Sequence, residues 1–270
     1  MKSSTGPTAM PSGEVRVPAH GVGWLWAERS GSGSPVVLLH GAGMDSRLWD
    51  AVAPELARHH QVIRFDARGL GRSAAPEQSF SDVEDLRAVL DYFGLRRAAL
   101  VGLSMGGETA VEFALAHPGR VEALGLVGAS VGGHIWPDDS DSLAYAAARR
   151  ERDAVALARL ELSIWAPMGR TAPGGELIEA MVSENAHRRI VSEELSMPSL
   201  SRNAEARLGE ITAPTLVIHG DRDHPEIGVI AKRLVTDIPT ARGQVIPNAD
   251  HYLPLRTPGP LTELLLAHLP

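Results

Sequence analysis

The 270-residue chain has no cysteine, which excludes a disulfide framework and any thiolate metal site. Aromatic residues make up only 4%, so the core must be built from aliphatic side chains. No apolar run approaches the roughly 18 residues of a transmembrane helix. Met1 to Pro11 is rich in Ser, Thr, Pro and Gly and lacks the apolar centre of a secretory signal. The 26 basic residues are outnumbered by 33 acidic ones and form no stripe interleaved with aromatics, which argues against a nucleic-acid partner. Neither H-x-x-x-H nor a carboxylate–histidine cluster with ligand spacing occurs outside Asp221/Asp223/His224. These absences leave a cytoplasmic protein, away from membranes, acting on a small molecule without metal or cofactor. A homo-oligomer stays open.

Short aliphatic runs alternate with helical patterns. Pro35–His40, Gln61–Asp66, Ala98–Gly102, Val121–Val127 and Pro214–His219 read as strands buried on both faces, and Gly243–Pro247 as a weaker sixth. Helices are expected near 47–59, 81–94, 105–117, 226–236 and 258–268, the second opening on the capping box Ser81-Asp-Val-Glu84. Val15 to Arg29 suits an antiparallel hairpin. The pattern predicts an α/β fold: a mostly parallel central sheet with helices on both faces. Residues 1–12 read as a flexible N-terminus, and 13–130 with 211–270 as the core. Between them, 131–210 carries helical patterns at 143–163 and 176–196, a Pro/Gly break at 167–175, and two of the five tryptophans. It reads as a helical lid over the C-terminal edge of the sheet, where open α/β sheets place their sites.

The strongest motif is Gly102-Leu-Ser104-Met-Gly106, at a strand-to-helix junction. Acyl transfer through serine needs a hydroxyl at the tip of a sharp turn, and the following helix N-terminus lends positive potential to a developing oxyanion. His40-Gly-Ala42-Gly43 follows the first buried strand, so its backbone is expected to supply one oxyanion donor at Ala42. The N–H of Met105 would be the other. A serine hydroxyl also needs an imidazole to take its proton and a carboxylate to orient that imidazole. His251 is the one histidine in a loop between a late strand and the last helix. Asp221 and Asp223 compete for the acid; Asp223 lies further into the loop, whereas Asp221 is placed to cap the turn. In the insertion, Trp136, Trp165 and His134 are candidate substrate contacts.

These residues resemble the α/β-hydrolase superfamily over about Pro35 to Leu269, specifically the lid-bearing branch of esterases, enol-lactonases and cofactor-free haloperoxidases. The loop Phe65-Asp-Ala-Arg-Gly-Leu-Gly-Arg-Ser73 looks like the family's D-x-R-G-x-G-x-S segment, which implies a structural role for it. Some relatives carry the acid after the strand preceding the lid. Here Gly128–Gly133 holds no carboxylate, which favours Asp223. Ser104 argues against relatives that use an aspartate nucleophile. The resemblance implies a serine hydrolase cleaving a small carboxylic ester or lactone through an acyl-enzyme. The same triad would also serve a thioesterase, a perhydrolase, a cyclase or a C–C hydrolase, and the same fold a ligand receptor without turnover.

Overall fold

The aliphatic runs do form one sheet, eight strands wide, in a computed structural model that describes residues 13–137, 140–196 and 203–270. The N-terminal segment 1–12 lies outside the described residues. In chain order the elements are β1 (Gly13–Pro18), β2 (Trp24–Gly31), β3 (Pro35–Leu39), α1 (Ala53–Leu56), β4 (Gln61–Phe65), α2 (Asp82–Tyr92), β5 (Ala98–Leu103), α3 (Met105–Ala116) and β6 (Val121–Val127). There follow α4 (Ser140–Arg150), α5 (Ala154–Trp165), α6 (Gly175–Leu195), β7 (Thr215–Gly220), α7 (Pro225–Asp237), β8 (Ala241–Ile246), α8 (Leu253–Arg256) and α9 (Pro258–Leu266).

Strand order is β1-β2-β4-β3-β5-β6-β7-β8, antiparallel only at β1–β2 and β2–β4. Side chains alternate across the central strands, so one run feeds two cores. Val37, Leu39 and Leu100 pack under α2, α3 and α7, while Val36, Leu38 and Val101 pack under α1, α8 and α9. Fully burying each such side chain contributes roughly 1.5–3 kcal/mol. From β3 the chain proceeds outward to β4, whereas β5 lies on the opposite side of β3. The loops after β3 and β5 therefore part above a crevice at the carboxyl ends of the strands, the place where doubly wound sheets bind ligands.

Two expected helices are broken. The 47–59 pattern splits into a 3₁₀ turn at Ser46–Trp49, capped by Asp45, and the short α1. Pro54 lies in the first turn of α1, where its ring is tolerated; in an unbroken helix it would meet the carbonyl four residues earlier. The 143–163 pattern divides at Arg152, whose φ of 55° is left-handed, and Asp153 restarts a helix by accepting the N–H groups of Val155 (3.1 Å) and Ala156 (2.9 Å).

The loop Phe65–Ser73 ties the core together. Buried Asp66 accepts the N–H groups of Ser46 and Arg72, each at 2.8 Å. Buried Arg68 pairs with Asp85 and donates to the carbonyls of His20 and Val22, both at 2.7 Å. No helix among the described residues is long and apolar enough to cross a membrane.

Candidate active site

Ser104 stands between β5 and α3 with φ 54° and ψ −118°, a conformation L-residues avoid and which costs about 1–3 kcal/mol. Its surroundings leave no alternative. Its N–H donates to Val127 O at 3.1 Å, and its carbonyl accepts from Glu108 N (3.0 Å) and Ser130 N (3.2 Å). A Cβ on Gly102 would lie 2.2 Å from Gly106 O, and one on Gly106 would lie 2.5 Å from Leu39 O. Only glycines allow the turn to close against β3. Met105, first residue of α3, has an N–H without an intrahelical acceptor. Beside it, the His40 loop is held by its own histidine. Nε2 accepts the Ala67 N–H at 2.8 Å, which leaves the proton on Nδ1 facing Gly41 O.

His251 and Asp223 meet beside Gly128, at the end of β6. The imidazole Nδ1–H faces both carboxylate oxygens of Asp223 at 3.0 Å, and the two side chains are only 2% and 1% exposed. They abut Gly128, the residue after Val127; a Cβ there would lie 3.1 Å from His251 Nδ1. The loop carrying His251 is anchored through buried Asp250, which pairs with Arg256 at 3.1 Å and accepts the Met168 N–H at 3.3 Å. Burial pulls the His251 pKa down, but the adjacent Asp223 carboxylate, by charge and hydrogen bond, outweighs it, with smaller help from Glu161 and Asp250. The net shift is upward. Asp221 is exposed and accepts the Ala249 N–H at 3.4 Å, so it braces the turn and does not touch the imidazole.

A cavity of about 400 Å³ opens over Ser104, with Ala42, Met105, Glu108 and Ser130 in its floor. Trp136, Tyr145, Trp165 and Arg189 close it from above. Trp165 lies on His251, ring centres 4.6 Å apart, and its carbonyl accepts the His251 N–H at 3.3 Å. A separate cavity of about 550 Å³ is lined by four arginines and four acids, among them Arg47–Asp45 and Arg64–Asp50 pairs, and contains no serine nucleophile.

The sequence pattern of the "Alpha/beta hydrolase family" matches residues 36–264. The chain belongs to this family. Among curated relatives of this α/β hydrolase, a 2-hydroxy-6-oxononadienedioate/2-hydroxy-6-oxononatrienedioate hydrolase of Cupriavidus pinatubonensis is 31% identical over 235 residues, 80% of each chain. Among solved structures, Est816, described as an N-acyl homoserine lactone degrading enzyme, is 29% identical with a TM-score of 0.81, covering 94% of this chain and all of its own. A thermophilic esterase from Thermogutta terrifontis is 25% identical with a TM-score of 0.80, covering 94% of this chain and 97% of its own.

Within this α/β hydrolase, the candidate residues Ser104, Ala42, Met105, Trp136 and Trp165 share the cavity wall. His134 does not. Its Nε2 is 3.0 Å from Glu226 and its ring stands edge-on to Trp136 at 5.4 Å, so as a substrate contact it is replaced by a prop for that tryptophan. Sequence reasoning missed Glu108, Tyr145 and Arg189. Glu108 carried a readable signal, since on a helix beginning at Met105 it lies one turn beyond Ser104. Tyr145 and Arg189 carried none. They reach the wall through a network in which Trp165 Nε1 donates to Tyr145 Oη at 3.1 Å and Tyr145 donates to Glu161. Glu161 also pairs with Arg189, whose Nε donates to Glu193 at 2.7 Å. Among the described residues, no three His, Cys, Asp or Glu side chains converge as metal ligands.

Proposed function

We propose that this chain is a serine hydrolase cleaving a small carboxylic ester or lactone that carries no negative charge. The observation that carries the reading is a strained Ser104 opening into a cavity shared with Ala42 and Met105, beside a buried Asp223–His251 pair. In this mechanism Ser104 Oγ attacks the substrate carbonyl while His251 Nε2 takes its proton. Asp223 holds the imidazole in the Nδ1–H tautomer and stabilises its positive charge. The backbone N–H groups of Ala42 and Met105 bind the oxyanion, each contributing on the order of 3 kcal/mol. Collapse of the tetrahedral intermediate expels the alkoxide, which leaves with the proton from His251. Water, deprotonated by the same imidazole, then releases the acid and restores Ser104. Helices α4 to α6 act as the lid.

Charge disfavours an anionic substrate. Arg189 is tied to Glu161 and Glu193, and Arg149 to Glu193 at 2.6 Å, while Glu108 and Asp141 add negative charge to the wall. A dianion entering this cavity would meet arginines already neutralised. The volume, near the lower end of the roughly 300–1,000 Å³ typical of ligand pockets, suits a small acyl or lactone group. C–C hydrolysis is the second reading, favoured by the Cupriavidus pinatubonensis relative, whose named substrates are dicarboxylates. Two assays separate them: turnover of 4-nitrophenyl butyrate and turnover of 2-hydroxy-6-oxononadienedioate. Multiple turnover of the ester, lost in Ser104→Ala, supports the proposal. Turnover of the dienedioate without the ester would replace it, and stoichiometric binding of the ester without turnover would indicate a receptor.

A further inference from the structure

In the floor of the cavity, Glu108 has one carboxylate oxygen with no protein partner among the described residues. Glu108 lies one helical turn after Ser104, and its N–H donates to the Ser104 carbonyl at 3.0 Å. Both line the cavity. Ser130 Oγ donates to Glu108 Oε2 at 2.8 Å, and Ser130 N–H donates to the Ser104 carbonyl at 3.2 Å, so one residue aligns the carboxyl with the elbow. Among the described residues, no other side-chain donor reaches Glu108, and no arginine, lysine or histidine pairs with it. The wall's arginines, by contrast, are all claimed by Glu161 and Glu193.

We infer that Glu108 determines specificity by accepting a hydrogen bond from the substrate, which carries a hydroxyl, amide N–H or ammonium within a few bonds of its scissile carbonyl. This rests on the reading of Ser104 as the nucleophile. A carboxyl facing a cavity with a spare oxygen is a poor structural element. Burial pushes its pKa up, and the Ser130 hydroxyl alone opposes that. Its place in the first turn of α3 makes a negative charge tolerable there. That placement does not explain why the carboxyl turns toward the space where the substrate sits. A donor on the substrate would complete its hydrogen bonding, and the short reach from Ser104 limits how far from the carbonyl that donor lies. A donor-free ester would cover the spare oxygen without pairing it, the kind of mismatch that sites built around a hydrogen bond reject most strongly.

The experiment compares four esters built on one butyrate chain: methyl butyrate, methyl 2-hydroxybutyrate, methyl 2-acetamidobutyrate and methyl 2-aminobutyrate. The wild-type enzyme is expected to prefer at least one donor-bearing ester over methyl butyrate by roughly ten- to a hundred-fold in kcat/KM, the range for a hydrogen bond to a charged group. The readout is the ratio between substrates, which a general loss of folding or catalysis does not move. In Glu108→Leu the ratio should collapse to about one. In Glu108→Gln, which keeps an acceptor oxygen and the shape, a hydroxyl or amide preference should survive in part and an ammonium preference should vanish. The two variants therefore name the donor, and the glutamine variant stands in should the leucine one fail to fold. Turnover of all four esters with wild-type ratios near one, or ratios unchanged in both variants, overturns the role of Glu108 while leaving the esterase reading standing. Absence of turnover on every ester, with the protein folded, overturns that reading and this inference with it.

Discussion

The floor and the roof of the cavity are built by different physics. The floor is backbone: Ser104, Met105 and Ala42 are placed by strands buried on both faces, by Val127 O and by glycines that admit no Cβ. The roof is side chains. In α4, α5 and α6, Ala148, Leu157 and Ile190 bury one small cluster, Ala158, Ile178, Met181, Val182 and Ala186 join the core below, and ion pairs Glu161–Arg189–Glu193, Arg149–Glu193 and Arg152–Glu194 link the helices. A backbone-built floor holds reacting groups within tenths of an ångström and tolerates little change. A roof of paired side chains can be rewritten one residue at a time without moving the floor.

The largest expected effect lies on the floor. Ser104→Ala should lower kcat for 4-nitrophenyl butyrate by roughly 10⁴- to 10⁶-fold with an unchanged circular dichroism spectrum. Near-wild-type turnover would remove Ser104 from the mechanism. Asp223→Asn should lower kcat by about 10⁴, because the imidazole takes the wrong tautomer. Asp221→Asn should alter kcat only a few-fold and stability by at most about 1 kcal/mol, since its acceptor oxygen persists. A reversal of these two results would exchange the aspartates.

On the roof the loss should appear first in stability. Glu161→Gln removes one of the two carboxylates that hold Arg189, whose side chain is 10% exposed, and should cost about 1–3 kcal/mol in urea denaturation. The exposed pair Arg152–Glu194, 51% and 49% accessible, should yield less than about 1 kcal/mol when Glu194→Gln is made. Equal losses at the two sites would mean that the roof is not held by its buried charges.

Smaller still is the effect on selectivity. Trp136→Ala should change the ratio of rates on hexanoate and acetate esters by about ten- to two-hundred-fold at most, the range of a hydrophobic contact. Trp165→Ala should instead lower both rates together, because that ring lies on His251. If only the chain-length ratio moves, Trp165 belongs to the acyl pocket alone.

The pH dependence joins the two regions, because Glu161 of the roof adds to the charge on His251. A general base must be neutral, so kcat/KM should fall as pH drops through the His251 pKa. With that pKa raised, the midpoint should lie above the ordinary histidine value of about 6.5. For stability the sign is opposite to that of a salt-bridged acid. A raised folded pKa adds stability below the unfolded pKa, and this is lost as pH rises through the folded one. Asp82, pushed up to about 6 by burial and by the charges of Asp85 and Glu108, acts in the same direction between about pH 4 and pH 6. Urea midpoints at pH 5 and pH 8 for wild type and Asp82→Asn should show the variant losing part of the slope.

Legibility in the sequence follows the same division. Parallel strands buried on both faces leave little room for polar residues, so Ala123–Val127 and Leu216–Ile218 stand out as unbroken apolar runs. Helix breaks were harder to see. Arg152 has nothing in its side chain that demands a left-handed φ, and the break there depends on Asp153 accepting the amides of Val155 and Ala156 in the first turn of α5. His134 looked as eligible as either tryptophan, because nothing local announces that Glu226, 92 residues away, will hold it.

By itself the sequence determined the strand–helix rhythm, the position of Ser104 at a strained junction and the order of the loops around it. All of these follow from sterics within a few residues, where Gly, Pro and β-branched side chains leave few allowed backbones. Only the tertiary structure decided how the charges were shared: Arg189 claimed by Glu161 and Glu193, Asp221 kept off His251, and Glu108 left with one hydroxyl. A charge is neutralised by whatever lies within a few ångströms, and in this molecule those neighbours come from helices and loops that meet only after the chain has folded.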